Sequence, residues 1–171
     1  MEDYTIIRSN RRSVGLRLDG NGKLVVRAPY NTSPEEIRRI VEKESAWIER
    51  KREHIRKHAE AYPEPDEAQR RALIEKAKTI LPPKIEHYAA LMGVHPTRVT
   101  ITGARTRFGS CSWKNAVSFS WRLMQYPEEA IDYVVVHELA HIRHHDHSSA
   151  FYRFIASVMP DHEARRALLR Q

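Results

Sequence analysis

The sequence predicts an α+β fold, and three observations carry that expectation. A Gly-Asn-Gly turn at 20–22 separates two alternating apolar segments, a proline-led helix start follows at Ser33-Pro34, and a second pair of strand-like segments precedes a β-branched helix around 134–141. Strands and helices therefore come in blocks rather than in regular alternation. With 171 residues, 41% of them hydrophobic and 30% charged, the chain suits one domain over 1–171, built as a hairpin-plus-helix subdomain at 1–60 and a core at 66–171.

The elements follow in order. VGLRLD (14–19) and KLVVRAP (23–29) flank the glycine turn as a hairpin, and YTIIR (4–8) offers a third strand. Ser33 is an N-cap, Pro34 a first helical residue and Glu36 a capping-box partner. Ile37, Ile40, Val41 and Ile48 continue at helical spacing, so one helix is expected from about 34 into the 50s, its polar end ERKREHIRKH facing solvent. AYPEPDEA (61–68), with two prolines and three acids, reads as a linker. EAQRRALIEKAKTI and PPKIEHYAALMG read as helix, interrupted or kinked at Pro82-Pro83 and stopped by Gly93. VTITGAR and AVSFSWRL read as strands joined by TRFGSCSWKN. Pro127, Glu128 and Glu129 then suit a first helical turn, and Ile131 to Ile142 is apolar enough for a buried helix.

Composition narrows the function. No apolar run approaches the roughly 20 residues that span a bilayer, and the start MEDYTIIRSNRR has no h-region, so a cytoplasmic protein without a membrane partner is expected. The one cysteine, Cys111, excludes an internal disulfide and a cysteine-rich zinc finger, and reads as a small buried filler. Trp113 and Trp121 read as core. A net charge of +7 favours an anionic partner. The excess is local: His87 to Pro127 has no Asp or Glu but holds Arg98, Arg105, Arg107, Lys114 and Arg122.

That acid-free stretch runs into the densest chemistry of the chain, five histidines in the eleven positions 137–147. On a helix His137 and His141 lie one turn apart, about 6 Å along the axis, and converge on one ion. Glu138, roughly 100° round the helix, cannot easily be a ligand but reaches a water on the ion's open side. His144, about 10 Å of rise from His137, is too far to share an ion with bonds of roughly 2 Å. His147 reaches it if the helix ends near His144 or His145 and the chain turns back, with Asp146 and Ser148 capping a following helix. His137, His141 and His147 are therefore the expected metal ligands, Asp146 a distant second for the third place, and Zn2+ the expected ion, another divalent metal being possible.

The stretch from Thr106 to Tyr152 resembles the signature of the YgjP-like metallopeptidase family, related to the WLM and SprT-like zinc proteins. That family reads T-R-W-G-S-C-S, then N-W-R-L, then D-Y-V-V-x-H-E-L-A-H, with five residues to a third histidine and an H-x-x-x-F-W tail. The present chain has TRFGSCS, SWRL, DYVVVHELAH, His147 and HSSAFY, departing at Phe108, Ser120 and Tyr152. IIRSNRRSVGLRL, VRAP and AWIERK also resemble its N-terminal segment. The resemblance implies a zincin-like metallopeptidase core, a small sheet plus the HExxH helix, and peptidase activity. Family members have also been classed as nucleotide phosphohydrolases. The ten-residue spacing of His137 and His147 also fits the metzincin pattern, with His144 in place of its glycine, but the flanking TRFGSCS and SWRL segments favour the YgjP-like reading.

The expected function is a zinc-dependent hydrolase, foremost a metallopeptidase, in which Glu138 acts as general base on metal-activated water. AVSFSWRL could add an extended peptide as a further strand. The alternative is a nucleotide pyrophosphatase, with Arg107 and Arg122 binding an anionic substrate. A third reading is a basic nucleic-acid-binding module with a structural zinc.

Overall fold

A computed structural model describes residues 4–170, and the acidic opening of the sequence at 1–3 lies outside them. The chain divides into two compact units, residues 1–63 and 64–171.

The first unit is a three-stranded sheet with two helices. Strands β2 (Gly15–Leu18) and β3 (Leu24–Pro29) form the expected hairpin, and β1 (Tyr4–Ser9) adds parallel to β3, giving the order β1-β3-β2. The turn is locked by the Asp19 carboxylate, which accepts from the N–H groups of Asn21 and Lys23, with Gly22 at φ 78°. Ser33 caps helix α1 (Pro34–Lys43) by accepting from the Glu36 N–H. The single helix expected from 34 is split: α2 (Ser45–Ala61) starts after Glu44, which sits at φ −94°, ψ 8°. That bridge-region residue redirects the chain so that Ile48 joins the core of Ile37, Val41, Leu24 and Val26.

The second unit carries the histidines. Helix α3 (Glu67–Met92) opens with a reciprocal capping box between Asp66 and Gln69 and closes on Gly93 at φ 63°. It runs uninterrupted through Pro82 and Pro83, where the sequence suggested a break. Each proline removes one backbone donor, but Ala77, Leu81, Ile85 and Ala89 recur every fourth residue and are buried across that point. Packing on both sides holds the helix together. Strands β4 (Arg98–Thr102), β5 (Gly109–Cys111) and β6 (Ala116–Ser120) form a second sheet in the order β4-β6-β5, β6 lying parallel to β4 and antiparallel to β5. The strand expected over AVSFSWRL stops at Ser120, and Trp121–Gln125 is a 3-10 turn. The Ser120 hydroxyl starts that turn, accepting from the Arg122 N–H while donating to the Ala104 carbonyl.

Helix α4 (Glu128–Ala140) is apolar nearly all round, with Ala130, Ile131, Tyr133 to Val136, Leu139 and Ala140 buried. It ends at His141, earlier than the spacing suggested. The next residues tighten into a turn in which Ile142 and Arg143 donate to the Leu139 and Ala140 carbonyls. Ser148 then begins helix α5 (Ser149–Val158), and helix α6 (His162–Ala167) follows. Among the described residues no helix is long and apolar enough to cross a membrane.

Candidate metal centre and cleft

Three histidines meet at the end of α4. His137 lies in its last turn, His141 occupies its C-cap, and His147 stands just ahead of the Ser148 N-cap of α5. One ring nitrogen from each lies within 4.8 Å of the others. His147 Nε2 is 3.3 Å from His137 Nε2. The Nδ1 atoms point elsewhere: His141 Nδ1 donates to the His144 carbonyl at 3.0 Å, and His137 Nδ1 lies 3.4 Å from the Tyr133 hydroxyl. Such outer partners fix the ring orientation of histidine donors.

Phe151 is the floor of this arrangement, fully buried, with its ring centroid 5.0, 4.5 and 5.0 Å from those of His137, His141 and His147. Burial pushes His137 down to about 3, with the neighbouring imidazoles adding to the effect, and lowers His141 as well. Burial thus favours the neutral rings of His137 and His141, and with His147 three imidazole nitrogens converge, a set that fits one divalent ion of borderline softness.

Glu138 is 6% exposed and faces the same cleft. Burial raises its carboxyl to about 7, against the opposing pull of Arg107. Its room is provided by β5, because a Cβ at Gly109 would fall 2.5 Å from Glu138 Cγ and 2.7 Å from its Oε1. The cleft, about 360 Å³, runs between this helix end and β5.

The edge facing the cleft belongs to β5. Strand β6, which sequence reasoning offered to an incoming peptide, is the central strand and is paired on both sides. Ser120 donates to the Phe108 carbonyl and Ser112 to that of Ala116, so residues 108 and 112 are bridged to β6. By the two-residue period of an antiparallel pair, the peptide groups of Gly109 and Cys111 point to the open edge. Sequence pattern gave no sign of this three-residue strand.

The remaining candidates separate. Arg107 lines the cleft. Arg122 does not: its guanidinium makes a paired bond to both Glu64 oxygens at 2.9 and 2.5 Å and lies 4.4 Å above the Trp121 ring. Arg105 reaches the same carboxylate at 2.9 Å. The Asp146 carboxylate accepts from the Ser148 N–H and is not among the converging donors. The His144 ring packs 5.7 Å from that of Phe154. Cys111 lies on the cleft wall, half-buried, its thiol raised by burial and by Glu138. Trp121 is core, whereas Trp113 is 82% exposed on the cleft rim.

A nitrogen-donor trio at the end of a buried helix, a buried carboxyl beside it and an open strand edge opposite are the parts of a metal-dependent peptidase. The chain belongs to the YgjP-like family: the model described as "YgjP-like, metallopeptidase domain" matches residues 12–72 and 62–171. Among solved structures, that of the metallopeptidase zymogen of Pyrococcus abyssi abylysin is similar over 53% of this chain and 91% of its own, with 23% identity and a TM-score of 0.48. No curated protein matches the chain.

Proposed function

We propose that the protein is a zinc peptidase in which His137, His141 and His147 hold the ion and Glu138 is the general base. The observation that carries this reading is the convergence of the three ring nitrogens beside Glu138, across the cleft from an unpaired strand edge. A divalent ion held there supplies Lewis acidity towards a carbonyl and lowers the pKa of water. An extended peptide pairs with the outward groups of Gly109 and Cys111, which brings its backbone past Glu138. The Glu138 carboxylate takes a proton from the attacking water and returns it to the leaving amine, a double duty suited to a group titrating near neutrality. Neighbouring Arg107 favours its charged form.

Two features support peptide over nucleotide. Of the two arginines expected to bind phosphate, one is committed to Glu64, and a strand edge has more to offer an amide backbone than a phosphate chain. A structural zinc in a nucleic-acid-binding module would call for a closed, usually four-ligand set, whereas here three donors line an open cleft. The test is elemental analysis with an unstructured-peptide cleavage assay. One zinc per chain is expected, lost in His137→Ala, His141→Ala and His147→Ala. Glu138→Gln should keep the metal while turnover falls by roughly 100-fold or more. Full metal content in His147→Ala, or near-parental turnover in metal-replete Glu138→Gln, overturns the reading.

A further inference from the structure

One large apolar side chain beside the cleft lies outside the core. Trp113 is 82% exposed, yet the turn that carries it is held by hydrogen bonds on both sides. It sits in the β5–β6 turn, where Asn115, at φ 58°, donates to the Ser112 carbonyl and Ala116 donates to Ser112 Oγ. Thr97 bolts the turn from outside, its hydroxyl donating to the Lys114 carbonyl at 2.7 Å and its N–H to that of Asn115 at 2.9 Å. Nothing in that geometry asks for tryptophan at 113. What the position does is carry an indole to the rim of the cleft.

A second ring meets it from the opposite wall. His145, in the segment between α4 and α5, lies 4.4 Å from Trp113 centroid to centroid at an interplanar angle of 35°, and both line the cleft. Along β5 the side chains alternate. Gly109 faces Glu138, so Cys111 and, past the strand end, Trp113 continue the row on the cleft side, whereas Ser110 pairs its hydroxyl with Ser118 at 2.8 Å. Trp113 lies four positions beyond Gly109, at most about 13 Å in extended chain.

From this juxtaposition we infer that Trp113 and His145 form a side-chain subsite for an aromatic or large apolar residue of the substrate. That residue lies a few positions from the bond opposite Glu138. The inference rests on the peptidase reading for the peptide's path, though not for the subsite itself. A flat, exposed indole offers a stacking face and apolar area to an incoming ring, and the His145 ring, tilted 35° at 4.4 Å, covers part of the other face. An Ala or Ser side chain at that position gains neither. The subsite therefore selects among peptides that the strand edge alone binds without regard to sequence.

The experiment has a binding arm and a turnover arm, both with the full-length, metal-loaded chain. In the first, the indole N–H signal of Trp113, assigned by its loss in Trp113→Ala, is followed by NMR during titration with N-acetylphenylalaninamide or N-acetylalaninamide. The aromatic probe should shift that signal and leave the buried Trp121 signal in place, and the alanine probe should do neither at the same concentration. In the second, a phenylalanine is walked along an otherwise alanine- and serine-rich quenched peptide. The parent should prefer phenylalanine at one position by roughly tenfold in kcat/KM. Trp113→Ala should erase that ratio and His145→Ala weaken it, with metal content held in both. Persistence of the preference in Trp113→Ala overturns the inference, as does an indole signal indifferent to the aromatic probe. Loss of metal from Trp113→Ala also overturns it, since the pair would then be a strap for the ligand segment. A shifted Trp113 signal with no peptide cleaved under any condition sinks the peptidase reading and leaves the subsite standing.

Discussion

Gly109 and Glu138 share one space: the side-chain carbon that residue 109 lacks would lie 2.5 Å from Glu138 Cγ. The glycine is required by this close approach and not by its backbone angles, since its φ is not positive. Gly109→Ala should therefore push a buried carboxyl off its position, because Cγ, near the root of the side chain, must move. Turnover is expected to fall by about 100-fold, the scale of a misplacement near 1 Å, with metal content retained. Adding Gly109→Ala to Glu138→Gln should cost little more, since both act on one group. Full additivity of the two losses would show that the glycine serves something else.

Phe151 underlies three imidazoles at once, so its removal should act on stability and on metal together. Phe151→Ala is expected to cost about 3–5 kcal/mol, as for other fully buried aromatics. Phe151→Leu should recover part of the stability while metal affinity stays below that of the parent. Thermal denaturation with and without chelator, beside a metal titration, checks both effects.

The Glu64 carboxyl titrates at about 2 instead of its ordinary 4.5, held down first by its bond to Arg122 and next by that to Arg105. A folded pKa below the unfolded one contributes stability that is fully present above pH 4.5 and fades as pH falls towards 2. Glu64→Gln should therefore melt below the parent at neutral pH, the gap closing through that acid window. The group is largely solvent-exposed, so the gap should be small. A gap independent of pH would assign the loss to packing.

Arg107 and Arg122 should part company in an anion test. With inorganic triphosphate as competitor at low salt, Arg107→Ala is expected to weaken inhibition several-fold, because Arg107 lines the cleft. Arg122→Ala should leave the inhibition constant near the parental value and lower the melting temperature instead, since it strips Glu64 of its paired donor. Equal effects on inhibition would place Arg122 within reach of the cleft.

What the sequence made legible was local. The hairpin followed from Gly20-Asn21-Gly22 flanked by alternating apolar residues, the start of α1 from Ser33-Pro34, and the convergence of His137, His141 and His147 from helical rise plus a chain reversal. What it hid depends on partners distant in the chain or on packing that overrides propensity. Arg122 finds Glu64 across 58 positions, and Trp121 leaves the strand because Ser120 caps a turn. Pro82-Pro83 stays helical because the buried residues on either side outweigh two missing donors. The Gly-Ser-Cys edge has neither length nor β-branched residues to announce a strand, and a glycine that makes room for a glutamate 29 positions away leaves no periodic trace. The four-residue step from His147 to Phe151 stood in the sequence as part of the HSSAFY tail, but its role, a ring set beneath the histidine once a helix starts at Ser149, shows only in the fold.

The short connection between α4 and α5 has a bearing on how such a protein can diversify. Ile142 to Asp146 gives His141 its carbonyl partner at His144, sets His145 against Trp113 and turns the chain at Asp146 so that His147 comes back to His137. Every one of these placements is counted from the end of α4, so inserting or deleting one residue would put His147 out of step with the pair it meets. The connection works as a ruler. At fixed length the side chains there can be exchanged without disturbing that count, and His145, whose ring faces Trp113 and the cleft rather than the converging histidine nitrogens, is one such position.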